Sequence, residues 1–191
     1  MSGLNTLWLR VFQGLRAVVF KSQTQANVLL GRQRVASTIL TVNAGATVHI
    51  GFITGNDPLI ITSRLINQIG STRIEYYARS GLSFTGAVSG NIVPIRNPNS
   101  ITKVPIGVQM WHSVTPGTPT AATEQYIDKY PIFSSGGNSQ SRIGSDTLGL
   151  EYVLKPNTSH VFSIANTGTG NATVHWWQAS YDGPLDLPLN E

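Results

Sequence analysis

Backbone breakers set the first limit on this chain. Nineteen glycines and ten prolines fall along 191 residues, so the backbone is interrupted about every six or seven positions. Helices of ordinary length have little room to form between them. Segments of roughly four to eight residues do fit, and that is the usual length of a strand. In several of these segments apolar and polar residues alternate. Val48, Ile50 and Phe52 are interleaved with Thr47, His49 and Gly51. Ile74 and Tyr76 share one parity, and Leu148, Leu150, Tyr152 and Leu154 share another. Val104, Ile106, Val108 and Met110 alternate too, with Pro105 on the other face, which suits an edge or a strand start. A period of two puts one set of side chains into a core and the other into solvent.

Turn chemistry separates these segments. Asn43-Ala44-Gly45, Gly55-Asn56-Asp57-Pro58 and Lys155-Pro156-Asn157-Thr158 read as turns, and Asn166 to Asn171 as a hairpin tip. Val35–Val42, Tyr126–Phe133, Val161–Ala165 and Val174–Ala179 read as strands, with a bend at Pro131 in the second. Leu59 to Ile69 is apolar and branched, but its period is ambiguous. Residues 79–103 and 112–125 read as long loops, which in compact domains are usually functional or lie across a partner. About eight strands with no helix–strand alternation predict an all-β fold. Its expected form is an antiparallel β-sandwich, jelly-roll-like, spanning 28–181.

The ends differ from this middle. In 1–27, Leu4, Leu7, Val11, Leu15 and Val18 recur at helical spacing, yet Gly14 interrupts them and Val18-Val19-Phe20 reads equally as a strand. Arg10 and Arg16 break the apolar run, so neither a signal peptide nor a membrane span is expected. Residues 182–191 hold Pro184 and Pro188 and should form an extended C-terminal tail. Leu4, Leu7, Trp8, Phe12, Leu185, Leu187 and Leu189 are apolar residues that a lone sandwich has little reason to hold. They are the candidate subunit or shell contacts, and an N-terminal edge strand folded back on its own sandwich is the alternative.

Composition argues against most chemistry. Charged residues are 12% of the chain, against about 25% in an average soluble domain. There is no cysteine, which removes disulfides, thiolate metal sites and thiol nucleophiles. The four histidines, His49, His112, His160 and His175, show no ligand spacing, so no metal and no cofactor is expected. His49 and His175 are expected on solvated strand faces. No Gly-x-Ser-x-Gly elbow or phosphate loop occurs, and the nine carboxylates are scattered. An enzyme is the least favoured reading. The net charge of +4 is carried by singly placed basic residues, unlike a nucleic-acid arm. Trp176 and Trp177 are strand neighbours and must point to opposite faces. One belongs to the core and the other to the surface or an interface.

The segments Glu151–Thr158, Val161–Asn166 and Val174–Trp177 resemble the end of a family of tailed-bacteriophage virion β-sandwich proteins. The loop Gly136–Arg142 is similar to that family as well, and Val28–Gly31 and Val42–Gly51 look like the start of many phage β-sandwiches. The resemblance spans about 28–180 and rests on turns and strands; there is no active site to carry over. It implies a structural virion protein on the capsid surface: an oligomeric decoration (cement) protein that stabilises the head. Its partners would be the major capsid protein and copies of itself, as a homotrimer. A head-fibre or tail-associated module that binds a host-surface glycan is the alternative. The arm and the tail depart from the family pattern.

Overall fold

A computed structural model of the protein describes residues 8–11, 18–21, 32–70, 72–98, 107–120, 126–133, 140–144 and 152–182. Side chains are described within 32–70, 72–98, 107–120 and 153–181. In the N-terminal region β1 (Trp8–Val11) pairs antiparallel with β2 (Val18–Lys21), Trp8 opposite Lys21. Over these two segments the ambiguity is resolved as strand, as the β-branched Val18 and Val19 favour. The hairpin is a two-stranded sheet of its own and adds an edge to neither main sheet.

Two larger antiparallel sheets form the sandwich. One holds β4 (Thr47–Ile53), β6 (Arg73–Ser80), β9 (Gln109–His112), β11 (Tyr126–Phe133) and β14 (Ser159–Asn166), in the order β11-β6-β14-β4-β9. The other holds β3 (Gln33–Val42), β5 (Leu59–Ile69), β8 (Ile95–Arg96), β12 (Gln140–Gly144) and β15 (Ala172–Asp182), in the order β12-β5-β15-β3-β8. Its sixth strand, β13 (Tyr152–Leu154), also pairs with β5. With β8, β9 and β13 set aside, eight strands remain, β3, β4, β5, β6, β11, β12, β14 and β15. The first and last lie side by side, and successive strands switch sheets except between β6 and β11. That winding is a jelly roll, which bears out the sandwich expected from the sequence.

The core follows the alternation. Ile50, Phe52, Val108 and Met110 are buried and Val48 packs against them, as their parity predicts. Ile74 and Tyr76 are fully buried. Phe162 is the centre of an aromatic cluster, with ring centroids 4.7 Å from Phe52, 5.9 Å from Tyr76 and 6.0 Å from Trp176. Such tilted rings contribute beyond the area they bury. Trp176 is the core member of the tryptophan pair and Trp177 lies half-buried on the opposite face.

The ambiguous period of Leu59–Ile69 has a structural cause. Along β15 the pairing steps from Ala179 opposite Ser63 to Ser180 opposite Ile61, so Thr62 is an extra residue. Its hydroxyl donates to the Ala179 carbonyl, 3.3 Å away. A bulge of this kind breaks the alternation. Leu59, Ile60 and Ile61 are buried on one side of it, and Arg64, Ile66 and Gln68 on the other. In β11 the irregularity falls between Tyr126 and Asp128, whereas Pro131 stays in register opposite Glu75. The bend expected at Pro131 is thus displaced. An edge strand accommodates the proline because its outer side needs no ladder hydrogen bond.

The stretch 79–103, expected as loop, begins within β6 and then folds into short pieces. β7 (Phe84–Thr85) pairs with β10 (Thr115–Pro116), and a single 3-10 turn spans Ser89–Asn91. β8 and β9 extend one sheet each. Of the expected strand from Val104 to Met110, Gln109 and Met110 lie in β9, Val108 just precedes it, and Val104, Pro105 and Ile106 lie outside the described residues.

Candidate functional site

The two sheets present very different outer faces. On the five-stranded sheet the insertion between β6 and β11 lies against the outside. The Phe84 ring sits on Gly51, where an added Cβ would be 2.8 Å from it. Leu82 and Val114 are buried outside the main core. The backbone amide of Gly117 donates to Ser83 and that of Val114 to His49. As a result Val161 and Ser163, which point away from the core, are buried as well.

Beneath this cover lies the most chemically suggestive pair in the molecule. His49 Nδ1 is 2.8 Å from Ser163 Oγ, across directly paired positions of β4 and β14. Burial, and then the nearby positive charge of Arg79, hold the His49 pKa below its ordinary value. A histidine so placed is a weaker base. Ser163 is 3% exposed, so a substrate carbonyl has no approach to it. The pair is a hydrogen bond that satisfies two covered polar groups. His49, expected on a solvated face, is half-buried because a distant segment folds over it. His175 is exposed as expected, and His112 is half-buried with Nδ1 3.0 Å from Ser113 Oγ.

His160 points into the core and stacks on Phe52, with ring centroids 4.9 Å apart. Neither ring nitrogen has a hydrogen-bond partner. Burial pushes its pKa down to about 4, and the Lys155 carbonyl, close by but outside hydrogen-bond geometry, offsets part of that. Among the described residues no group of three His, Asp or Glu side chains could hold a metal ion.

Buried polar groups also close one end of the sandwich. Gln68 Nε2 donates to the Thr72 carbonyl (2.6 Å) and Thr72 Oγ1 to Asn166 Oδ1 (2.7 Å). Asn166 Nδ2 donates to the carbonyls of Val42 (3.0 Å) and Gly170 (2.7 Å). The network ties 166–171 to three other segments; this connection crosses from one sheet to the other and is not the hairpin tip expected from the sequence, because β14 and β15 pair with other strands. Only the strand-to-turn position of Asn166 hints at it in the sequence.

The six-stranded sheet has no such cover among the described residues. Its outer rows read Ser37–Trp177–Leu65, Ile39–His175–Asn67 and Thr41–Thr173–Ile69 across β3, β15 and β5. Ile39 is 68% exposed and Ile69 43%, while Trp177 and Leu65, in the first row, are half-buried. This mixed apolar and polar face, with exposed Arg96 of β8 opposite Val35 on the same side, is the candidate interaction surface. The contacts expected at Leu4, Phe12, Leu185, Leu187 and Leu189 lie outside the described residues. Trp8 falls in β1, where only the backbone is described.

No family model matches the chain. No curated protein matches it. Among solved structures it is similar to that of the infectious bursal disease virus Gx strain, with 16% identity and a TM-score of 0.18, covering 92% of this chain and 45% of that one. It is also similar to T=1 particles derived from infectious bursal virus, at 13% identity and a TM-score of 0.21, covering 95% and 46%. A third similar structure is the VP2 subviral particle of infectious bursal disease virus, at 14% identity and a TM-score of 0.20, covering 94% and 47%. The chain spans about half the length of the chains it matches, and likeness at these TM-scores carries no argument for fold or function.

Proposed function

We propose that this chain is a structural virion protein: a decoration protein that binds the outside of a tailed-bacteriophage capsid as an oligomer and stabilises the head. The observation that carries the reading is the outer face of the six-stranded sheet, which no described residue covers, with Ile39 and Ile69 exposed on the same face as Trp177 and Leu65. A face of this kind is suited to a neighbouring protein surface. The resemblance of Glu151–Thr158, Val161–Asn166 and Val174–Trp177 to phage virion β-sandwiches names the class of neighbour. The fold by itself does not, since jelly rolls also serve as lectins and cupins. No catalytic role is part of the proposal; the His49–Ser163 pair is closed off.

Electron cryomicroscopy of the particles that contain the protein, labelled with an antibody against it, tests the reading. Regular density on the head lattice is expected. Labelling confined to the tail would overturn it, and specific retention on a host-glycan array would favour the glycan-binding module instead.

A further inference from the structure

Among the described residues the six-stranded sheet leaves one edge open. β8 covers β3 only at Val35 and Ala36, and no described strand pairs with the outer side of β3 beyond that point. The open stretch reads Ser37-Thr38-Ile39-Leu40-Thr41-Val42. It holds four β-branched residues, with no charge, no proline and no bulge. Proteins that keep such an edge unpaired normally protect it with one of those devices.

We propose that this edge pairs with the same edge of a second copy, antiparallel about a two-fold axis, in the manner of strand addition. This goes beyond the capsid-binding reading and does not depend on it. Parity and space fix the register. Residues directly opposite each other in an antiparallel pair share a face, so continuing the core face across the axis requires an even register. Centring the pair on Ile39 would drive each copy's Val42 into the position opposite Ala36 that Ile95 of β8 already holds. Centring it on Leu40 removes the clash. Thr38 to Val42 of one copy then lie opposite Val42 to Thr38 of the other, and each chain turns away at Asn43–Ala46, short of β8. Exposed Ile39 lands opposite Thr41 on the outer face, and Leu40 faces Leu40 on the core side. The fit of the gap to its own strand is the reason for choosing a second copy as the occupant. The N-terminal strands β1 and β2 form a sheet of their own and do not pair with β3. The contact is two-fold, so it makes pairs, and any trimer would have to use another surface.

The chain has no cysteine, which makes a cross-linking test clean. In a double variant, Ile39→Cys with Thr41→Cys, each cysteine faces its counterpart at a strand-pair separation that a disulfide can span. Mild oxidation of the full chain should give a covalent dimer in the double variant. Ile39→Cys alone should stay uncross-linked, since its partner copy would be diagonal and too far away. A second variant, Ile39→Lys, changes an exposed side chain and should leave the circular dichroism spectrum unchanged. It should shift sedimentation from dimer to monomer by at least tenfold in dissociation constant. An unmodified protein that sediments as a monomer at tens of micromolar would overturn the proposal. So would an oligomer indifferent to Ile39→Lys, or a double variant that does not cross-link. None of these outcomes bears on whether the protein binds a capsid, which the particle images decide separately.

Discussion

Asn166 holds three segments with one amide: it accepts from Thr72 and donates to Val42 and Gly170. Replacing it with alanine leaves the Thr72 hydroxyl and two carbonyls without these partners, and unmet buried polar groups cost more than the bonds themselves contribute. Asn166→Ala should lower stability by about 2–4 kcal/mol, read as a fall in urea midpoint at constant slope. His160 makes a second prediction. Its folded pKa is about 4, below the ordinary 6.5, so the fold prefers the neutral ring. Above pH 6.5 both states are neutral and the full stability is present. As pH falls toward 4 the unfolded chain takes up a proton that the folded one resists, and roughly 3 kcal/mol is lost across that window. His160→Leu should flatten the pH 6.5 to 4 limb of a stability profile, and an unchanged limb would refute the assignment. Parity along one strand was enough to place Ile50 and Phe52 inside, but it left open which of Trp176 and Trp177 the core takes. It could not place His49, whose cover comes from Phe84 and Val114, far away in the chain.

At the level of elements, strand and turn positions were legible because breakers and alternation are local signals. Gly45 and Asn157 adopt positive φ in the turns that their neighbourhoods announce. What escaped were features set by pairing. The bulge at Thr62 is invisible until β15 lies alongside β5, and β8 and β9 are defined only by the sheet edges they join. The candidate surface escaped for the same reason. Ile39 and Trp177 lie far apart in sequence and join one face only through the β3–β15 register. One such close approach is testable. Gly55 abuts the Gly107 backbone, and an added Cβ would lie 2.7 Å from its Cα. Gly55→Ala must move the chain that leads into β9, and should cost about 1–3 kcal/mol. Gly90→Ala, where a Cβ would meet nothing within 4 Å, serves as the control in the same thermal melts.

For the whole molecule, the question is how it meets its neighbours. If the terminal leucines and Trp8 are docking residues, deleting 1–20 or 184–191 should leave the sandwich folded and weaken capsid binding or oligomerisation. If the 1–20 deletion unfolds the isolated protein, the arm belongs to its own domain; if both truncations assemble and bind normally, the docking idea fails. The topology has one more consequence. β14 lies at the centre of its sheet, between β6 and β4, and β15 between β5 and β3 in the other. Both central strands come from the single stretch Ser159–Asp182, which sends β14 into one sheet and β15 into the other. A nascent chain emerging from the ribosome therefore carries flanking strands with a vacancy in the middle of each sheet. Closure must await this stretch, and contacts this distant in sequence form slowly. A chain truncated before Ser159 would keep both vacancies and would be a substrate for chaperones or proteases.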